Sequence, residues 1–403
     1  MSKVAHTPQL RFPEFSGDWE EKKLSDISDV RDGTHESPKY VLDGFPLITS
    51  KNLLSNGSID FENINLVSEE DYTNINKRSK VDINDILFGM IGTIGNPVIV
   101  KETGFAIKNV ALIKQQKELL NKFMIFYLSG NSIAKQFYIE NTGGTQKFLA
   151  LGVIRSLKIK FPPDTEQQKI AAFLTAVDNK IEQLSKKKAL LGEYKKGLMQ
   201  QIFSQAIRFK ADDGSDFPDW EEKKLGDVAE IVGGGTPPTA VEKYWNGNIQ
   251  WFTPTEIKSK FIVNSKRTIT QVGLDTSSAK LLPKGTLLFS SRATVGEVGI
   301  AVQECTTNQG FQSFIVNKNN EPEFLYNWII KNKKEFIRRA SGSTFLEIGK
   351  SEIKKIKLHI PGLPEQTKIA NFLSSIDNKI EQVGKQLDES KQFKKALLQQ
   401  MFV

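Results

Sequence analysis

Two long stretches of the chain carry apolar residues three and four positions apart. In the first they fall at Ile170, Leu174, Val177, Ile181, Leu184, Leu191, Leu198 and Ile202, with Lys188 and Lys195 at the two remaining seam positions. In the second they fall at Ile369, Leu373, Ile376, Ile380, Val383, Leu387, Leu397 and Met401. That alternation describes a coiled-coil seam and predicts helices over 163–207 and 362–403. Asp164, with Gln167 three residues on, reads as an N-cap, and Pro364 suits a first helical position. Gly192, Gly197 and Gly384 each weaken a helix interior by about 1 kcal/mol relative to Ala, which long paired helices absorb. Elsewhere the pattern shortens to β-branched and aromatic runs bounded by Gly, Pro, Asn and Asp. Strands are expected at 45–49, 85–88, 98–100 and 157–161, and again at 249–253, 285–289, 298–301 and 356–360. A helix is expected in each set, over 121–136 and 322–339.

The two sets are one unit written twice. Glu166-Gln167-Gln168-Lys169-Ile170-Ala171-Ala172-Phe173-Leu174 returns as Glu365-Gln366-Thr367-Lys368-Ile369-Ala370-Asn371-Phe372-Leu373, about 199 positions later, which is half the chain. Both copies continue into Asp-Asn-Lys-Ile-Glu-Gln, at Asp178 to Gln183 and at Asp377 to Gln382. Asp18-Trp19-Glu20-Glu21-Lys22-Lys23-Leu24 likewise returns as Asp219-Trp220-Glu221-Glu222-Lys223-Lys224-Leu225. The expected organisation is α+β: two mainly-β domains, 12–162 and 213–361, each followed by a long helix. Helices of about 40 residues are rods of about 60 Å. A lone apolar stripe of that length stays wet, so each helix pairs best with the other. Domain–helix–domain–helix order with a pseudo-twofold axis makes the pair antiparallel. The seam residues expected to pair are Ile170, Leu174, Val177, Ile181 and Leu184 with Ile369, Leu373, Ile376, Ile380 and Val383.

Composition is that of a soluble globular protein, 39% hydrophobic and 25% charged over 403 residues. No apolar run reaches the about 18 residues a membrane span requires, and the opening Met1-Ser2-Lys3-Val4 lacks a signal peptide's apolar segment. One cysteine, Cys305, excludes an internal disulfide and fits a reducing cytoplasm. A net charge of +8 permits a polyanionic partner without requiring one. Basic residues gather at Lys258, Lys260, Lys266 and Arg267 and at Lys331, Lys333, Lys334, Arg338 and Arg339. Taken alone, each group is equally well a solvated surface.

Catalytic motifs do not emerge. Asp164 to Lys169 superficially resembles a nuclease carboxylate–lysine site, but those residues open a helix, and Leu363 replaces Asp164 in the second copy. His6, His35 and His359 lie away from Cys305 and form no zinc pattern. Gly233-Gly234-Gly235 precedes no Lys-Ser/Thr pair of a phosphate loop. Phe161-Pro162-Pro163-Asp164 lacks the leading residue of an amino-methyltransferase motif. What remains is polar loops. Gly89 to Gly95, with Thr93, aligns with Ser290 to Gly296, with Ser291 and Arg292. Thr142, Gly143, Thr145, Gln146 and Lys147 align with Ser341, Ser343 and Thr344. Lys51 and Asn52 correspond to Thr255 and Lys258, and Thr236 follows the glycine run. Such residues approach phosphates and read base edges. The halves share their openings, closing strands and helices while these loops differ, as expected of two readers on one frame.

On these motifs the chain resembles the specificity subunits of type I restriction–modification systems, over nearly its whole length. The resemblance implies a subunit without a catalytic site that binds no cofactor itself. Its two target-recognition domains would read the halves of a split DNA site, with the helices setting the gap. It implies two adenine-methylation subunits that bind S-adenosylmethionine, docked on the outward helix faces. It also implies restriction subunits driven by ATP and Mg, and no membrane partner. Residue composition alone leaves open a rival, a coiled-coil scaffold whose β-rich domains bind proteins or glycans.

Overall fold

The computed structural model describes residues 7–116, 118–130, 133, 136, 148–342 and 346–402. It divides into two compact units, residues 1–186 with 384–403 and residues 187–383. Each unit therefore holds one β-rich domain together with part of both long helices, Asp164–Phe203 and Leu363–Gln400.

The repeated openings are strands, which the charged Glu-Glu-Lys-Lys sequence conceals. Glu20–Lys23 pairs antiparallel with the closing strand Lys158–Phe161, and Glu221–Lys224 pairs with Lys357–Ile360. Each domain is thus tied end to beginning immediately before its helix. Trp19 and Leu24 in one unit, and Trp220 and Leu225 in the other, are buried beside these ribbons.

In the first unit a four-stranded sheet runs in the order Val30–Asp32, Val110–Ile113, Ile86–Gly89, Gly95–Ile99. A second sheet runs Tyr40–Val41, Asn65–Val67, Phe45–Thr49, Ala106–Lys108. In the second unit a five-stranded sheet runs Ala229–Gly233, Gln312–Val316, Leu287–Phe289, Val298–Ala301, Phe261–Ile262. Beside it Trp245–Phe252 lies between Arg267–Ile269 and Cys305–Thr307. The expected helix at 322–339 is broken at Asn332 into Pro322–Lys331 and Lys333–Arg339. The one at 121–136 is Asn121–Leu128, and most positions beyond 130 in that stretch lie outside the described residues.

Within each unit the helices run antiparallel. In the first, Lys394 Nζ meets Asp178 Oδ1 at 2.6 Å, while Leu397 and Met401 join Leu174 and Ile170 in one buried cluster. In the second, Lys195 Nζ meets Asp377 Oδ1 at 2.6 Å, and Met199 and Ile202 cluster with Leu373 and Ile369. The seam does more than join helices: Ile170 and Leu174 also share their cluster with Phe123, Ile159 and Phe161 of the domain. Ile369 and Leu373 do the same with Phe324, Leu358 and Ile360. Leu184, Ile376 and Val383 are buried, whereas Val177, Ile181 and Ile380 are half-buried.

The helix starts differ from the capping expected of them. Asp164 is already helical, and the amides of Glu166 and Gln167 donate to Pro163 O. Pro364 is the second helical residue, after Leu363. The repeated Glu-Gln pair instead reaches inward. Glu166 is fully buried and accepts from Arg11 Nε at 2.8 Å and Nη2 at 2.7 Å. Glu365, equally buried, accepts from Arg208 Nη2 at 2.9 Å and Trp220 Nε1 at 3.1 Å. Gln167 Nε2 donates to Pro162 O at 2.9 Å, and its Oε1 accepts from Leu120 N–H at 2.9 Å. Gln366 does likewise with Pro361 O and Glu321 N–H. Each pair locks a helix start to its domain, because a buried polar group persists only with partners.

Candidate nucleic-acid interface

In the second unit the sequence-selected loops meet. Residues 290–294 form a tight turn with Ala293 at φ +61°. Ser291 N–H donates to Gly310 O at 2.9 Å, and Ile348 N–H donates to Ser291 O at 2.9 Å. Ala293 N–H donates to Leu346 O, and Ser341 and Glu347 exchange backbone bonds. The short 3₁₀ turn Pro254–Glu256 packs against Gly310, where a Cβ would stand 2.9 Å from Pro254 Cγ. Gly235 N–H donates to Thr307 O at 2.8 Å, and Thr236 Oγ1 donates to Gln309 Oε1 at 2.5 Å. A Cβ on Gly234 would lie 1.9 Å from Asn308 O, so glycine is required there.

These bonds sort the residues by role. Ser291 is enclosed, its hydroxyl donating to Gly310 O. Glu256 caps its own turn through Thr253 and holds Lys266 N–H. Arg292, Thr255, Lys258, Gln309 and Ser341 are exposed along the rim, and Thr236 is half-buried. Arg292 Nε lies 3.7 Å from Glu347 Oε2, each side chain 47% exposed. Ser343 and Thr344 lie outside the described residues.

The basic groups separate in the same way. Arg267 stacks on the Trp245 ring at 3.5 Å, and Lys260 turns inward to Glu323 and Asp377. Arg338 and Arg339 both bind Glu335, whose carboxyl is held below its usual range first by the Arg339 hydrogen bond. Lys333 pairs with Glu297. Lys258, Lys266, Lys331 and Lys334 are exposed, as are Arg267 and Arg338 despite those contacts.

The first unit builds a corresponding rim. Gly33 and Thr34 N–H donate to Val110 O and Ile107 O, and Ser50 Oγ donates to Asn109 O at 2.8 Å while accepting from Met90 N–H at 3.1 Å. Leu149 N–H donates to Met90 O, the counterpart of the Ile348–Ser291 bond. Asn52 is buried and builds its turn, accepting from Thr49 and donating to Asp60 O and Asn63 O. Lys51, Gly92 and Phe148 are exposed and Thr93 half-buried. Thr142, Gly143, Thr145, Gln146 and Lys147 lie outside the described residues.

A charged cluster on this rim escaped sequence reasoning. Buried Asp32 accepts from His35 Nε2 at 2.8 Å and from Arg78, and His35 Nδ1 faces Asn109 Oδ1 at 2.9 Å. With acceptors on both ring nitrogens the imidazolium is favoured, so the His35 pKa rises, chiefly through Asp32 and then Asn109. The repeat held a clue: Asn109 and Asn308 occupy matching turns, and Asn109 has φ +55°.

No group of His, Cys, Asp and Glu suited to a metal occurs among the described residues, and no described helix is long and apolar enough to cross a membrane. Comparison with known proteins decides the family. The type I restriction modification DNA specificity domain model matches residues 16–192 and again 218–390. The chain belongs to that family. A similar relative is the MjaIX specificity subunit, a type I restriction enzyme component of Methanocaldococcus jannaschii. It is 39% identical over 191 residues, which span 46% of this chain and 44% of that one. A putative MjaX specificity subunit from the same organism is 28% identical over 96% of this chain and 93% of its own. Among solved structures, the S subunit of a type I system from M. genitalium shares the fold at a TM-score of 0.61. It is 16% identical, with 98% of this chain and 99% of that chain covered. A chain from a type I R-M complex assembly gives a TM-score of 0.60 at 19% identity, over 94% of this chain and 96% of its own. The fold class expected from the repeat is thus the fold of this family.

Proposed function

We propose that this specificity subunit reads a split DNA site, each domain taking one half through the rim described above. Arg292, Thr236, Thr255, Lys258 and Ser341 serve one half. Lys51 and Thr93, joined by His35, serve the other. The observation that carries this reading is the repeat itself: matching loops, tied by the matching Leu149–Met90 and Ile348–Ser291 backbone bonds, end in different side chains. Arg is suited to guanine and hydroxyl and amide groups to other edges, while lysines supply salt-sensitive phosphate contacts. The long helices space the two readings and offer their outward faces to partners.

The partners proposed with this reading are two adenine-methylating subunits that hold S-adenosylmethionine, and restriction subunits that use ATP and Mg. The chain itself acts as a non-catalytic reader. Methylation requires the target adenine to be flipped from the duplex, so register counts as much as affinity. The test is Arg292→Ala in the reconstituted complex. Binding to a duplex changed in the second half-site should lose its discrimination by about 1–3 kcal/mol, with first-half discrimination unchanged. Equal weakening on specific and scrambled duplexes would reduce Arg292 to a phosphate contact.

A further inference from the structure

The two domains differ at one sheet edge. In the second unit Phe261–Ile262 adds a fifth, parallel strand beside Val298–Ala301. Ile300 N–H donates to Lys260 O at 2.7 Å and Val302 N–H to Ile262 O at 3.2 Å. In the first unit the matching sheet stops at Gly95–Ile99, and no described strand pairs with its outer edge. The residues that would reach it fold back instead, Leu53 bridging Ile59. Val100 N–H donates inward to Asp85 O at 2.8 Å, so alternation along an antiparallel strand points the N–H groups of Ile99 and Lys101 outward.

That edge faces a groove of about 1740 Å³ lined by Ile99, Lys101, Phe126, Ala172 and Leu398. It exceeds the about 300–1,000 Å³ of small-molecule sites and suits a peptide. At one position its charge is the reverse of the filled site. In the second unit Lys260 Nζ enters between Glu323 Oε2 at 2.7 Å, Ser374 Oγ at 2.8 Å and Asp377 Oδ2 at 3.3 Å. In the first unit Lys122 stands where the repeat has Glu323, while Asp178 pairs with Lys394 just as Asp377 pairs with Lys195. Lys391 and Lys395 also line it, and with Lys101 they outnumber the one further acid there, Glu182.

We propose that this edge docks an extended segment of a partner protein, an acidic residue followed by apolar ones, as a fifth parallel strand. The carboxylate takes the place of Lys260 and meets Lys122, while carbonyls of the segment accept from Ile99 and Lys101. Strand addition supplies affinity through the main chain and selectivity through alternate side chains. Pro97 has no N–H to offer, which confines pairing to Ile99–Lys101, as short as the strand in the second unit.

The test uses the full-length chain and two capped peptides copying residues 257–264, one native and one carrying Lys260→Glu. Anisotropy should show the Lys260→Glu peptide binding about tenfold more tightly, and hydrogen exchange should slow at 99–101. Lys122→Glu, at an exposed position, should reverse the order of the peptides, and Ile99→Pro should abolish binding of both. Equal affinities, an order untouched by Lys122→Glu, or protection elsewhere overturns the proposal. So does protection of 99–101 by duplex DNA and by neither peptide, which would assign the groove to nucleic acid.

Discussion

Removing the buried carboxylate of Glu166 tests how a helix start is fastened to its domain. Both oxygens accept from Arg11, whose side chain is 13% exposed and also donates to the carbonyls of Ser16 and Gly17. Glu166→Ala leaves that guanidinium without its anion. Breaking a buried pair costs about 3–5 kcal/mol, and the two remaining carbonyl bonds place this case near 3. Glu166→Gln keeps one neutral acceptor and should cost about half as much. The double variant Arg11→Met, Glu166→Leu removes both charges and should return to within about 1 kcal/mol of the parent. Native-state hydrogen exchange at Glu166 and Gln167 reads the change locally, since both amides donate to Pro163 O. A loss of 3 kcal/mol increases exchange there by about a hundredfold. An Ala variant exchanging within about threefold of the parent would refute the reasoning, as would a double variant no better than the single one.

Other consequences can be measured separately. His35 should titrate above its ordinary range by NMR, and Asp32→Asn should bring it down, because Asp32 is the principal cause of the rise. A raised folded pKa contributes stability that is present below the unfolded pKa of about 6.5 and is lost as pH rises through the folded value, so first-half binding should weaken over that window. Gly234→Ala should lower the melting temperature and disturb second-half recognition, since its Cβ meets the Asn308 carbonyl. Leu397→Ala, which opens the buried cluster shared by helix and domain in the first unit, should cost about 2–5 kcal/mol by urea titration.

Much of this architecture was legible because a repeat supplies its own control. The Glu-Gln phrase has a second copy in which Leu363 replaces Asp164, and that alone argues against a nuclease site. The physical reason for the phrase was not legible: Arg11 and Arg208 lie about 155 positions from their glutamates, and only folding joins them. The opening strands were hidden for a different reason. Glu20–Lys23 has an almost wholly polar pattern because its backbone bonds to Lys158–Phe161 do the structural work and most of its side chains face water. The first helix start was misplaced by a residue, Asp164 being inside its helix, and both helices stop three or four residues short of the expected ends. At the rims, sequence reasoning found the loops but could not sort their residues. Ser291 and Asn52 are polar because they build turns, whereas Arg292 and Lys51 are polar at the surface. The Asp32–His35–Arg78 cluster joins the end of one strand and the loop after it to a helix 46 positions on, so its charge partner could not be read from the local sequence.

The central claim is that two rims read two halves of one site. Sequencing the methylated adenines in random-sequence DNA exposed to the reconstituted complex tests it most directly. Two short defined blocks separated by an unread gap of fixed length are expected, with Arg292→Ala degrading one block only. A single uninterrupted motif, or loss of both blocks together in that variant, would contradict it.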